Sequence, residues 1–284
     1  MVNYIWRMSK SCAMVVACIF FCACSDMSML KGRFDVPVQH NFIGVGKELP
    51  QKSSVSNVAV SAVYVQEDSL RIRDLYNEKD VKDGYSNPTK IDFVYKLNNF
   101  PIMVSYTYIY KGELCVAGVS ASIGRYLFGR FIFGVNDKNY EVGMYGDLGY
   151  GFDQGSYDYR YDSGGLFGGG PYGDSTYSDK YIGHYVTSFG LYASYYYGPL
   201  GVTYSPSVYA PWQRRDLPVN AKGNVESEGA YDINFKFPQI VSQYVGLSFW
   251  ITDHWKISGG VTFLTPVDFS DFAMTGNTSV GFWF

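Results

Sequence analysis

Cysteine is scarce in this 284-residue chain: there are five, and four lie at or before position 24. Cys115 is the fifth and has no evident partner, which excludes a disulfide framework. It reads as a small apolar side chain on a strand. Charge is thin as well. Charged residues make up 17% and the formal balance is −3, so no electrostatic case exists for binding nucleic acid. Histidine occurs three times, as His40, His184 and His254. No G-x-S-x-G and no H-E-x-x-H motif occurs, and Gly168-Gly169-Gly170 lacks the Lys-Ser/Thr of a phosphate loop. Asp158 and Asp162 do not have EF-hand spacing. No catalytic residue, metal or cofactor is expected. The one long apolar run, Cys12 to Ala23, is shorter than the roughly 20 residues a helix needs to cross a bilayer.

That run follows Arg7 and Lys10, the layout of a secretory signal over residues 1–23. It ends Phe21-Cys22-Ala23-Cys24-Ser25-Asp26. This resembles a bacterial lipobox, and the resemblance implies acylation at Cys24. The alternative is ordinary cleavage after Ser25. Residues 24–56 show no period, and Gly32, Pro37, Gly44, Gly46 and Pro50 read as a tether or irregular lead-in. A plug inside the barrel is the alternative, though nothing there marks one.

What the chain has in abundance is aromatic residues and glycine: 27 Tyr, 20 Phe and 31 Gly, with hydrophobics at 47% spread in alternation. In Tyr140 to Tyr150, Val142, Met144 and Leu148 share one face, and Glu141, Gly143, Asp147 and Gly149 share the other. Period two marks a strand with two different faces. A face turned to lipid does not tolerate carboxylates, so the second face is expected to line a lumen. Arg130, Glu141, Asp147 and Lys256 are the lumen candidates, as pairs that fill the interior or as the lining of a narrow path. At the end of the chain, Thr278, Val280, Phe282 and Phe284 oppose Ser279, Gly281 and Trp283. A final strand that closes on Phe284, with Phe282 two residues earlier, resembles the terminal signal of Gram-negative outer-membrane β-barrel proteins.

That resemblance implies an all-β fold. The expected architecture is a single transmembrane antiparallel up-and-down β-barrel over residues 57–284, exported to the outer membrane. With 114–135 and 231–251 each taken as one strand, the count is ten; eight and twelve are the alternatives. The long connections 67–88, 151–182 and 211–228 then all fall outside, with 111–113 and 265–274. The turns Asn98-Asn99, Asn136 to Asn139, Gly198-Pro199 and Asp253-His254 fall in the periplasm. Arg125 breaks the phase of its segment, and Pro238 interrupts the other.

The expected role is structural or interactive, through the outer loops. Loop 151–182 carries Tyr157, Tyr159 and Tyr161 among glycines, a composition suited to adaptable recognition of a glycan or protein. Arg214 and Arg215 could meet lipopolysaccharide phosphates. Outer-membrane lipid and the barrel-assembly machinery are the other expected partners. A narrow pore for ions or small solutes is the second reading. A rim hydrolase around His184 is the third. Omptin-type proteases resemble the chain in length and strand number, but share no motif with it.

Overall fold

The computed structural model describes residues 27–36, 44–65, 69–76, 81–84, 90–97, 102–124, 126–162, 174–212, 217–219, 231–233, 239–269 and 271–284. The strands are β1 (Met27–Val36), β2 (Ser53–Val65), β3 (Ser69–Tyr76), β4 (Lys90–Leu97), β5 (Met103–Lys111), β6 (Val116–Ile123), β7 (Tyr126–Asn136), β8 (Tyr140–Asp162), β9 (Asp174–Tyr197), β10 (Leu200–Trp212), β11 (Leu217–Val219), β12 (Tyr231–Ile233), β13 (Ile240–Trp250), β14 (Trp255–Pro266) and β15 (Ala273–Trp283). Ten of them run β8-β7-β6-β5-β2-β15-β14-β13-β10-β9, and β9 pairs back on β8. Every neighbour in the ring is antiparallel, so the wall is a closed cylinder with no free edge. Ser56 and Phe284 exchange backbone hydrogen bonds of 2.8 and 2.9 Å and fasten the end of the chain to β2.

Residues 112–115, 137–139, 198–199 and 251–254 make the connections at one end, called here the turn end. Four of the five connections at the other, the loop end, are longer. The count of ten is as expected, but its make-up differs. The segment 114–135 is two strands, β6 and β7, joined at Gly124 and residue 125. Residues 89–97 belong to no barrel strand: β4 lies in a sheet outside the ring. The connection after Lys111 therefore lies at the turn end, the reverse of the expectation, and Asn98 and Asn99 lie outside the described residues. Among the described residues of 231–251, Ile240–Trp250 form wall, while Tyr231–Ile233 pair with Leu217–Val219 in a separate sheet; Pro238 lies outside the described residues. Cys115 lies in a turn, its carbonyl accepting Gly112 N–H at 2.8 Å.

The strand faces follow the alternation. On β8, Val142, Met144 and Leu148 are exposed on the outside, while Glu141 and Asp147 are buried inside. Outward Phe131 is 70% exposed and Leu247 62%. Such a surface is unstable in water and suited to lipid. Rings mark its two borders. Tyr140 and Tyr195 oppose each other at the turn end, and Tyr150 and Tyr185 at the loop end, the latter with ring centroids 4.9 Å apart. Ten residues of strand separate Tyr140 from Tyr150, about 33 Å along the chain. At a barrel tilt near 40° this is a height of about 25 Å, the thickness of an outer-membrane apolar band. Among the described residues no helix is long and apolar enough to cross a membrane.

Inside the wall, aromatic rings lie on glycines of the facing strand. Tyr126 opposes Gly151, Phe128 opposes Gly149, and Tyr145 opposes Gly190. A Cβ on Gly190 would stand 2.4 Å from Tyr145 Cζ. The missing side chain is what lets the ring lie flat across the lumen.

β8 and β9 run on past the rim, paired out to Arg160 and Asp174. The segment 151–182, expected as a loop, is thus mostly a hairpin. Tyr157, Tyr159 and Tyr161 are strand residues of β8, in register with Gly32, Leu30 and Ser28 of β1. β1 pairs β8 and β4, and β4 pairs β3. On the far side, β3 touches β14, and Arg71 N–H donates to Asp271 at 2.6 Å. β8 and β14 stand on nearly opposite sides of the ring. The sheet β1-β4-β3 therefore crosses the loop-end mouth, with Tyr95 of β4 beside Tyr209 of β10. Its own Leu70, Ile72, Ile91, Tyr95 and Leu97 are buried.

Candidate functional site

The turn-end mouth is filled by residues 44–50, which lie irregular inside the barrel just before β2. Gly44 and Gly46 have φ of 65° and 75°, values that favour glycine. A Cβ on Gly44 would also stand 2.9 Å from Ser194 Oγ and 3.0 Å from Glu141 Oε2. The two glycines fold the segment so that Val45 and Leu49 point into a cluster with Ile109, Val116, Ile132, Tyr145, Tyr192, Trp250 and Trp283.

Wall side chains clasp the backbone of this segment. Glu141 accepts Val45 N–H at 2.8 Å and Tyr192 O–H at 3.1 Å. Lys256 Nζ donates to the carbonyls of Gly44 (2.7 Å) and Val45 (3.0 Å). Trp250 Nε1 donates to Gly46 O at 3.0 Å. Asn136 works both ways: its Oδ1 accepts Leu49 N–H and its Nδ2 donates to Lys47 O, each at 2.9 Å. Lys47 Nζ lies 4.0 Å from the Trp250 ring centroid and donates to Asp253 O. Burial lowers the Lys47 pKa, and nearby Asp253 pulls it back up.

The four lumen candidates thus do two jobs. Arg130 and Asp147 are cross-strand partners, joined by hydrogen bonds of 2.5 and 2.9 Å, and Asp147 also accepts Ser188 Oγ at 2.7 Å. Arg130 stacks 4.6 Å from the centroid of the Tyr145 ring. Glu141 and Lys256 stand on opposite parts of the wall, and both hold the backbone of 44–46. A buried carboxylate and a buried ammonium each need a partner; here the inserted segment supplies both. The sequence showed the charges and the glycines but not that they meet.

Phe282 and Phe284 face outward at the turn end, where Phe282 packs on Trp255 at 5.0 Å and on Phe284 at 6.0 Å between centroids. His254 Nδ1 lies 2.9 Å from Trp283 O. His184 falls on β9 opposite Gly151. Cys24, His40, Arg214 and Arg215 lie outside the described residues, as does the proposed signal 1–23. Among the described residues no cluster of His, Cys, Asp and Glu is arranged to hold a metal ion.

Above the inserted segment the lumen holds a cavity of about 140 Å3. Gly44, Lys256 and Trp283 border it, and hydroxyl groups of β2, β5, β6, β14 and β15 line it.

Fold and inserted segment together define a class: a ten-stranded transmembrane β-barrel with an internal plug. No family model matches the chain, and no curated protein matches it in sequence. Among solved structures it is similar to the CymD monoaromatic hydrocarbon channel, at 9% identity and TM-score 0.31, over 82% of this chain and 88% of that one. It is similar to the translocator domain of the autotransporter NalP from Neisseria meningitidis, at 9% and 0.28, over 81% and 87%. It is also similar to the attachment invasion locus protein Ail of Yersinia pestis, at 14% and 0.22, over 83% and 100%. No kinship follows from scores this low.

Proposed function

We propose that this protein is an outer-membrane β-barrel that carries a β-sheet and long loops on the cell surface, with a structural or binding role there rather than that of an open pore. The observation that carries this reading is the lumen, stopped at the turn end by residues 44–50, beneath a sheet built on the protruding β8–β9 hairpin. Short turns at one end and long connections at the other orient such barrels, with the turn end in the periplasm. Export by the signal at 1–23 and acylation at Cys24 belong to the same reading. So do recognition of the Phe282/Phe284 strand by the assembly machinery and contact of Arg214 and Arg215 with lipopolysaccharide.

β1 runs with Met27 opposite Asp162 and Phe34 opposite Gly155. Met27 therefore stands near the tip of the hairpin, far from the turn end. An epitope inserted before Met27, or within 163–173, is expected to be labelled by antibody on intact cells. Labelling that needs a permeabilised outer membrane, at both positions, would reverse the orientation.

A further inference from the structure

The lumen is not uniform. Inward side chains of β13 and β14, such as Ser242, Tyr244, Ser248 and Thr262, are buried. Those of β5 and β6 (Ser105, Thr107, Ser120 and Ser122) remain half-exposed although they too point inward. The difference follows from the roof. The sheet β1-β4-β3 meets β14 and sets Tyr95 beside Tyr209 of β10, and among the described residues it has no strand paired over β5 or β6. On the β5–β6 side lies the cavity of about 140 Å3, bordered toward the stopped turn end by Gly44, Lys256 and Trp283.

Its chemistry is specific in three respects. First, its charges cancel. Arg130 is closed on Asp147, and Lys256 is matched by Glu141 through the inserted backbone. A charged ligand gains no counter-charge here. Second, the wall carries many hydroxyls, which both donate and accept. Thr107 and Ser120 are bonded at 2.8 Å, and Ser258 and Ser279 at 2.6 Å, forming short rows up the wall. Third, Phe128, Tyr244 and Trp283 add aromatic surface. Aromatic surface with a few oriented polar groups is the usual make-up of a small-molecule site.

We infer that this pocket binds a neutral sugar ring, entering from the loop end either as a free monosaccharide or as the terminal residue of a glycan. The hydroxyls answer the ring hydroxyls, and the aromatic side chains meet its C–H face. This goes beyond the surface-barrel reading. Binding in detergent does not depend on which end faces outward.

The test is a titration of the full-length protein, labelled with 15N at the tryptophan indoles, in detergent micelles. The probes are D-glucose, D-galactose and maltotriose. Trp283 borders the pocket, whereas Trp250, held on Gly46, does not, so Trp250 is the internal control. Assignment uses Trp283→Phe. A saturable shift of the Trp283 resonance, with Trp250 unmoved, is the expected result. Monosaccharide alone would mark a solute site; maltotriose binding as well would mark a glycan terminus. Ser105→Val with Ser122→Val keeps strand-favouring side chains while removing two hydroxyls and narrowing the space. The pair is expected to weaken binding about 30-fold, two hydrogen bonds at roughly 1 kcal/mol each. Indoles that shift in parallel with all three sugars, or a Trp283 shift untouched by the double substitution, would overturn the inference.

Discussion

Replacing residues 44–50 by a Gly-Ser stretch of equal length is expected to turn a silent barrel into a conducting one. In planar bilayers the native protein should show no resolved current steps, and the replaced protein discrete ones. Six hydrogen bonds join the backbone of this segment to wall side chains. Three of them involve Glu141 or Lys256, and bonds to charged groups contribute roughly 1.5–3 kcal/mol each. Val45 and Leu49 add two buried apolar anchors. The segment is therefore a fixed stopper rather than a passing strand of chain. None of its residues lies in the wall, whose ladders run from Ser53 onward, so the cylinder should survive the replacement. Heat-modifiable gel mobility checks that it does. A replaced protein that folds and still passes no current would show that the aromatic filling and the roof close the lumen without the stopper.

Gly190→Val should have the largest effect on folding. A Cβ there would lie 2.4 Å from Tyr145 Cζ and 2.6 Å from its Oη. The ring has nowhere to go. Its hydroxyl is 3.2 Å from Ser205 Oγ, Arg130 covers its face, and it belongs to the cluster that holds Val45 and Leu49. Overpacking of this kind typically costs roughly 1–3 kcal/mol, and a clash this close belongs at the upper end. Urea titration in detergent should show that loss for the single variant. Tyr145→Ala alone should also destabilise, by leaving a hole. Combined with Gly190→Val, however, it should cost clearly less than the sum, because the two side chains compete for one space. Additive losses would show that the ring does not depend on the glycine.

Much of the wall was legible in the sequence. The faces of Tyr140 to Tyr150 and of Thr278 to Phe284 were readable because side chains alternate strictly along a strand, whatever it pairs with. The turn at Gly124 showed in the sequence as Arg125, a charge on the apolar side, and not as a change of phase, for a definite reason. Ile123 faces Leu127 across that hairpin. Facing residues share a side of the sheet, and 123 and 127 are both odd, so the alternation passes through the turn unbroken. At the next hairpin toward the start of the chain, Lys111 faces Val116, and the phase does change. Residues 89–97 alternate like a wall strand, yet they pair outside the ring. Period two reports a pleated, two-faced segment and not its partners.

The amino-acid sequence by itself thus determined the two-faced strands, the outward apolar belt and the inward charges, because these follow from local geometry and from the surroundings each face can tolerate. Only the tertiary structure decided which strands close the ring, that β1, β4 and β3 roof part of its mouth, and that Gly44 to Pro50 stop the other end. Those outcomes rest on contacts between residues far apart in the chain, such as Lys256 with Gly44, 212 positions away. A segment with no period of its own gives no advance sign of where it will lodge.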